Sequence, residues 1–216
     1  MGKVVVTEFV SLDGVMEAPG GEPGYKHTGW VAKFLDEGQF KYKFDEVMEH
    51  DALLLGRKTY ESFAEGWSPR EGEFADKMNS MPKYVASTTL KEAQWKNSTV
   101  LSGDAMAEVA KLKAELTGDI LVAGSRTLVN ALKRHGLVDE YRLMVFPVIL
   151  GSGMRLFDDA EDAAPLERVG ILPLDNGAVV LTYRPAIAAD EAGGTSRRDL
   201  EEWFPRTDEH EPSTGR

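Results

Sequence analysis

Short apolar runs alternate with amphipathic segments along the first two thirds of the chain. The short runs end in glycine or in polar turns, which is typical of buried strands. They lie at residues 4–10, 52–55, 83–87, 99–101 and 120–123. Between them, apolar residues recur at spacings of three and four, which predicts helices. The predicted helices lie at residues 31–49, 58–64, 74–78, 105–116 and 126–134.

Glycine and serine mark the expected ends and breaks of these helices. We expect Gly38 to interrupt the first helix and Gly118 to cap the end of the fourth. Ser125 is expected to cap the start of the last helix, which stops at Gly136.

The last third of the chain is typical of strands. They are predicted at residues 141–150, 166–174 and 178–184, and Asp175-Asn176-Gly177 is a tight hairpin signal between the last two. The earlier strand–turn–helix units indicate parallel strands with helices on both faces. We therefore predict a three-layer α/β/α fold with a mostly parallel central sheet and a C-terminal antiparallel hairpin. A ligand site is expected beyond the carboxyl ends of the strands.

Two segments lack a regular pattern. Residues 15–30 are rich in glycine and proline, which predicts a long mobile loop without helix or ladder, of the kind that closes over a site. Residues 186–216 are rich in alanine, glycine and charge, which predicts a mobile acidic tail with one short docked helix. The chain is therefore expected to hold one folded domain at residues 1–185, followed by this tail.

Composition narrows the class of protein. The chain has 216 residues, of which 42% are hydrophobic, enough for a substantial core. It carries 36 acidic and 25 basic residues, and its formal charge of −11 opposes binding to nucleic acid or to anionic membranes. The absence of cysteine excludes disulfides and thiolate chemistry and fits a reducing cytoplasm. The apolar N-terminal stretch is too short for a signal peptide or membrane span. We expect a cytoplasmic protein that binds neither nucleic acid nor membrane.

A first candidate site is the glycine corner Gly56-Arg57-Lys58-Thr59, where a strand meets a helix. Free amides, the positive end of a helix dipole, two cations and a hydroxyl together suit a phosphate. The alternative is a simple turn with solvated cations. The segment is not a Walker loop, because Asp51 stands where that motif needs glycine.

Two further polar clusters follow predicted strands. Gly124-Ser125-Arg126-Thr127 repeats the corner arrangement, with helix capping by Ser125 as the alternative. Ser87 and Thr88 follow another strand, with an ordinary turn as the alternative. Because a parallel sheet brings such corners to one edge, the three clusters together suit an extended dinucleotide with several phosphates.

Other familiar chemistries are not supported. The segment Gly151-Ser152-Gly153 lacks the third glycine of a Rossmann fingerprint, since Leu156 occupies that place. The four histidines show no ligand spacing, so we expect no metal site. No Gly-x-Ser-x-Gly elbow occurs, which leaves serine hydrolysis without a nucleophile.

Asp13 lies at the end of the first strand, in the segment Ser11-Leu12-Asp13-Gly14. A turn-forming Asp-Gly pair is the structural interpretation. The functional interpretation is a carboxylate that hydrogen-bonds a substrate N–H group or relays a proton.

Six segments taken together, in their order along the chain, resemble a known family. They are Ser11–Gly14, Leu53–Tyr60, Lys83–Ser87, Val122–Ser125, Gly136–Glu140 and Pro147–Gly153. They resemble the dihydrofolate reductase-like superfamily over about residues 3–185, and most closely the branch related to the C-terminal reductase domain of the bifunctional riboflavin-biosynthesis deaminase-reductase.

This resemblance implies an oxidoreductase that uses NADPH. By analogy, both glycine corners bind the cofactor's phosphates, and Ser87 and Thr88 lie by the adenosine 2′-phosphate. The cofactor-binding residues so implied are Gly56, Arg57, Lys58, Thr59, Ser87, Thr88, Gly124, Ser125, Arg126 and Thr127. Asp13 is the implied catalytic residue, facing the substrate with Ser11, and a homodimer is expected. Trp30 is a candidate wall against the substrate, or else an anchor of the following helix.

Departures from the family bear on the substrate. Dihydrofolate reductases carry a pterin-binding acid in the helix after the lid, and neither Asp36 nor Glu37 matches that place. The cysteine-containing zinc deaminase of riboflavin enzymes is not expected in a chain without cysteine. We expect hydride transfer to a small heterocycle, pterin-like or riboflavin-precursor-like. The alternatives are a catalytically silent nucleotide-binding or regulatory protein on the same fold, and a scaffold whose acidic tail recruits a partner.

Overall fold

Eight strands form one sheet in the computed structural model, which describes residues 2–101, 103–159 and 163–186. Strands β1 to β8 are Val4–Ser11, Ala52–Gly56, Lys83–Ala86, Ser98–Leu101, Ile120–Ala123, Glu140–Phe146, Leu166–Pro173 and Val179–Pro185. Helices α1 to α5 are Glu37–Glu49, Arg57–Trp67, Glu73–Ser80, Ala105–Glu115 and Arg126–Arg134. A short 3-10 helix at Trp30–Phe34 precedes α1.

The strand order is β4-β3-β2-β5-β1-β6-β8-β7. The first six strands of this order run parallel, and β8 pairs antiparallel with both β6 and β7. This arrangement confirms the predicted mostly parallel sheet with its C-terminal hairpin. Gly177 closes the hairpin at a positive φ of 84°, which the predicted turn requires.

Alternate residues of the central strands supply two cores, one on each face of the sheet. On one face, Val4 and Val122 pack with Val109 of α4 and Leu132 of α5. On the other face, side chains of β1, β2 and β5 pack with helices α1, α2 and α3. The sheet is therefore covered on both sides, as the continuous apolar strands predicted.

The helix predicted at residues 31–49 is wrong in one respect, because it is broken before Asp36 rather than at Gly38. The Asp36 carboxylate accepts a hydrogen bond of 2.6 Å from the amide of Gln39 and so starts α1 afresh. Gly38 lies within the first turn of that helix.

The predicted glycine cap of α4 is also wrong. The helix ends at Glu115, and the extended residue Leu116 forms its cap. Gly118 serves close packing instead, since a Cβ there would lie 1.6 Å from an oxygen of Asp51. The strand predicted at residues 141–150 ends early, at Phe146.

Residues 15–30 are irregular apart from the start of the 3-10 helix, but two contacts hold this loop against residues 152–155. Val15 forms an isolated bridge with Arg155, which the prediction of no ladder had excluded. The Tyr25 hydroxyl donates to the Ser152 carbonyl at 2.6 Å. The tail predicted at residues 186–216 lies outside the described residues, apart from Ala186. Within the described ranges, no helix combines the length and the apolar character needed to cross a bilayer.

Candidate functional site

The two predicted glycine corners lie against each other at one edge of the sheet. Strands β2 and β5 are neighbours; Gly56 is the last residue of β2, and Gly124 follows β5. A Cβ on Gly56 would lie 1.9 Å from Oγ of Ser125, and a Cβ on Gly124 would lie 2.7 Å from Oγ1 of Thr59. Gly124 also has a positive φ of 63°. Only glycine at both positions allows this close approach.

Both corners begin helices whose first amides receive no side-chain cap. Helices α2 and α5 have neither a capping hydrogen bond nor an acidic residue in the first turn. By contrast, Asp36 and Asp104 cap α1 and α4, and α3 has two acids in its first turn. Ser125 occupies the predicted cap position of α5, but its hydroxyl makes no capping bond. Two positive helix ends therefore meet at this edge, with their amides available to an anion.

The cations of the two corners differ in how they are engaged. Arg57 forms an ion pair of 2.9 Å with Glu61, and Nε of Arg126 donates to the Arg155 carbonyl at 2.8 Å. Lys58 is exposed and forms no ion pair within the described ranges. Thr127 is exposed in the first turn of α5. Lys58 is therefore the cation best able to reach a bound anion.

The third predicted cluster, Ser87 and Thr88, follows β3, which pairs with β2. It therefore lies at the same edge, beside the corner at Gly56. The Ser87 hydroxyl accepts hydrogen bonds from the amides of Thr89 and Leu90, at 3.2 and 2.9 Å. It thus stabilises the local turn, whereas Thr88 is exposed. The structure brings all three clusters to one edge.

Asp13 ties two distant loops together. Its carboxylate accepts hydrogen bonds from the Ser11 hydroxyl at 2.7 Å and from the amides of Leu150 and Gly151 at 3.1 and 2.9 Å. The Ser11 hydrogen bond and these amides hold the pKa of Asp13 at about 2. Asp13 is therefore ionised at neutral pH and acts as an acceptor. This geometry favours the structural interpretation of Asp13, and its catalytic role stays a prediction.

Trp30 lies in the core and does not line an open surface. It is 4% exposed and packs edge-to-face on Phe146, with ring centroids 5.4 Å apart. Its indole N–H donates to the Glu17 carbonyl at 3.0 Å. In this conformation Trp30 anchors the 3-10 helix, which was the alternative to a substrate wall.

Sequence reasoning missed Glu8, which lies beside one of the corners. Its Oε1 accepts a hydrogen bond of 2.8 Å from the amide of Gly124. The side chain is 7% exposed, and burial raises its pKa to about 8. The carboxyl group is therefore mostly neutral at pH 7. The signal that could have identified Glu8 is a charged residue inside a strand predicted to be buried.

A second missed group lies on the opposite face of β1, against α1. The Thr7 hydroxyl accepts from the Lys43 ammonium at 2.8 Å and donates to the Glu46 carboxylate at 2.9 Å. Lys43 also pairs directly with Glu46 and lies 5.3 Å from the ring centre of Phe9. Thr7 is in register with Ala123, the residue before Gly124. A polar cluster therefore lies next to the corner.

The two candidate pterin acids, Asp36 and Glu37, differ in how they are engaged. The Asp36 carboxylate accepts from Gln39 as a helix cap and from the amide of Asn176 in the hairpin turn, at 3.0 Å. Glu37 is exposed in the first turn of α1. Across the ranges described above, no three histidine or carboxylate side chains cluster as metal ligands would.

The chain resembles known proteins along most of its length. The family model of the RibD C-terminal domain matches residues 2–180. Two uncharacterised proteins of Bacillus subtilis (strain 168) are similar. YyaP is 29% identical over 84% of this chain and 94% of its own length. YwjB is 32% identical over 78% of this chain and 90% of its own length.

Solved structures share the fold. A candidate riboflavin biosynthesis protein of Shewanella sp. PV-4 superposes with a TM-score of 0.69 at 21% identity, covering 86% of this chain and 99% of that one. Dihydrofolate reductase of Enterococcus faecalis, solved with NADP(H), superposes with a TM-score of 0.55 at 18% identity, covering 86% and 98%. The dihydrofolate reductase-like fold expected from the sequence is thereby confirmed.

Proposed function

This chain belongs to the family of RibD C-terminal domains, and on that premise we propose that it is a cytoplasmic, NADPH-dependent reductase of a small heterocycle. The carrying observation is the meeting of the starts of α2 and α5, neither of which has a side-chain cap or a first-turn acid. Two positive helix ends that meet in this way suit the doubly charged bridge of a dinucleotide.

The residues present fit such a cofactor. The glycines at positions 56 and 124 leave no Cβ between the two corners, so their backbones stay close to any bound phosphate. The first amides of both helices would hold the pyrophosphate, with Lys58 as the neighbouring cation. Thr88 and the turn at Ser87 would lie along the adenosine end. NADPH supplies the hydride when it is bound.

For the substrate we propose the polar cluster beside the corner as the contact surface. The half-buried Lys43 ammonium, held by the buried side chains of Thr7 and Glu46, lies next to the partly exposed ring of Phe9. This set suits a flat, polar heterocycle, pterin-like or riboflavin-precursor-like. Since Asp13 is ionised at neutral pH, we assign the proton of the reaction to water.

We also propose that two copies associate through β7, one of the two edge strands of the sheet. This strand is exposed along nearly all of its eight residues, and Ile171 is 52% exposed. An exposed apolar edge strand of this length favours pairing with another chain. The adjacent charges Glu167 and Arg168 can face each other across a two-fold axis.

The test combines binding with turnover. NADPH is titrated by fluorescence, and its oxidation is then followed by absorbance with dihydropterins and with ribosylaminopyrimidines in turn, with NADH as the comparison cofactor. We expect saturable binding of NADPH and turnover with one of the two substrate classes. Binding without turnover on any substrate would favour the regulatory alternative, and no binding would overturn the proposal.

A further inference from the structure

Glu8 is a buried carboxyl group that the hydride transfer does not require, and it lies beside the corner. Its Oε1 accepts from the amide of Gly124 at 2.8 Å, across 116 positions of the chain. No donor in the described part of the chain reaches Oε2, and 7% of the surface of Glu8 stays exposed. One oxygen of Glu8 therefore holds the corner, and the other stays available.

The charges that act most on Glu8 lie across the sheet, on α1. Lys43 favours its ionised form and Glu46 opposes it, and these two charges are themselves paired. The neighbouring strand β5 has no charged side chain. On β6, Arg142 pairs with Glu140 at 2.8 Å. No cation is therefore committed to neutralising a Glu8 carboxylate.

The charges of α5 are likewise engaged elsewhere. Arg126 donates to the Arg155 carbonyl, while Lys133 and Arg134 pair with Asp158 at 3.3 and 2.7 Å. Burial therefore dominates at Glu8 and raises its pKa to about 8.

We propose that Glu8 is a positioning residue for the dinucleotide. In its neutral form the carboxyl fixes the Gly124 amide through Oε1 and leaves a proton on Oε2 for hydrogen bonding, without placing a negative charge beside the phosphates. This inference rests on the proposed function, because it takes the Gly124 corner as the cofactor site.

Ionisation of Glu8 has a definite consequence for binding. A carboxylate at this position would repel the anionic cofactor across a medium of low dielectric constant. Binding should therefore take place with the protonated form and weaken as pH rises through the pKa of Glu8. By linkage, bound NADPH must in turn raise the pKa of Glu8.

The experiment measures the Kd for NADPH by calorimetry between pH 6 and pH 9.5, using the full chain. For the wild type we expect Kd to rise about tenfold from pH 7 to pH 9, as one linked proton with a pKa of about 8 requires. Glu8→Gln carries an acceptor and a donor at every pH, so its Kd should stay flat. Glu65→Gln, on the exposed surface of α2, is the matched control and should follow the wild type.

A carbon-13 NMR titration of glutamate-labelled wild-type protein gives a second readout that needs no variant. The Glu8 carboxyl should titrate near pH 8 in the free protein and at higher pH with NADPH bound. Two results would overturn the role of Glu8 and leave the reductase proposal standing. The first is the same pH profile of binding for wild type and Glu8→Gln. The second is a Glu8 pKa that does not rise when NADPH binds. Failure of all variants to bind NADPH would overturn both.

Discussion

Single residues at this edge of the sheet combine structural and chemical roles. Asp13 is the clearest case, because its carboxylate is engaged by the Ser11 hydroxyl and by two amides of the 150–151 loop. Such a group holds loops together and is ionised at neutral pH, since its pKa is about 2. We therefore expect Asp13 to act as an anchor.

Asp13→Asn tests this role. Because folding lowers the pKa of Asp13, its carboxylate stabilises the folded state at pH values above 3.8, the ordinary pKa of the group. This contribution is lost as the pH falls toward 2. We expect Asn to cost about 1 kcal/mol at pH 7 after solvent screening, since its amide N–H2 faces amide donors. Urea denaturation at pH 7 and pH 2.5 measures this, with Asp175→Asn in the hairpin turn as the control.

The difference between wild type and Asp13→Asn should shrink at the lower pH. If Asp13 acts as a proton donor instead, the variant would lose turnover while stability and NADPH affinity stay near wild type.

Among the helices, α2 and α5 are the two whose starts are open to an anion, because a helix that lacks its own cap leaves amides unpaired. An acid placed there should therefore have opposite effects on stability and on binding. The dipole favours a negative charge at the helix start, whereas the cofactor's phosphates are repelled by it.

Lys58→Glu in the first turn of α2 is the corresponding variant. We expect the melting temperature to stay the same or rise slightly, because the new carboxylate lies at the positive end of the helix dipole. We expect the Kd for NADPH to increase about tenfold, because the phosphates lose the attraction of Lys58 and are repelled by the new carboxylate. Calorimetry and thermal denaturation measure the two effects. Lys111→Glu makes the same charge change at an exposed position of α4, away from the site, and should leave the Kd for NADPH unchanged. Equal Kd values for both variants would contradict the anion site.

A buried lysine, Lys83, binds the carbonyl groups at the C-terminal end of α3. The Lys83 ammonium is fully buried and donates to the carbonyls of Met78, Asn79 and Met81 at 2.8–3.0 Å. It also lies 4.4 Å from the ring centre of Trp95. A cation at a helix C-terminus satisfies carbonyls that the helix itself cannot.

Lys83→Met should lower the free energy of unfolding by about 3 kcal/mol, because three carbonyls lose their donor away from water. Chemical denaturation measures this, and exposed Lys91→Met is the control. A loss below about 1 kcal/mol would show that water replaces the ammonium.

The periodicity of the chain predicted the elements well where local signals decide them. The apolar runs located every strand, and the glycine corners at 56 and 124 were visible as strand–helix junctions. The break before Asp36 was missed because it depends on a cap that competes with a continuous apolar stripe. The amides of Leu150 and Gly151 that bind Asp13, and the Gly124 amide that binds Glu8, lie more than 100 positions away, so no local pattern could reveal them.

At the scale of the molecule, the order of strands decides the site. Placing β5 between β2 and β1 brings two corners and Glu8 to one point. The same order leaves β7 at the edge, with Val169, Ile171 and Leu172 exposed. The proposed cofactor site and the proposed contact between two copies thus lie in opposite halves of one sheet.

The association is tested by sedimentation. We expect wild type to sediment as a dimer and Val169→Lys/Ile171→Lys as a monomer, since added charges blunt an edge strand. Leu35→Lys changes an even more exposed apolar residue, before α1, and should leave the dimer intact. A monomeric wild type at high concentration would contradict the β7 contact.

A crystal structure with NADPH bound tests whether the glycine corners of β2 and β5 form one dinucleotide site. We expect pyrophosphate oxygens within about 3 Å of the first amides of α2 and α5. A dinucleotide bound away from residues 56–59 and 124–127, or none bound at saturating NADPH, would contradict it.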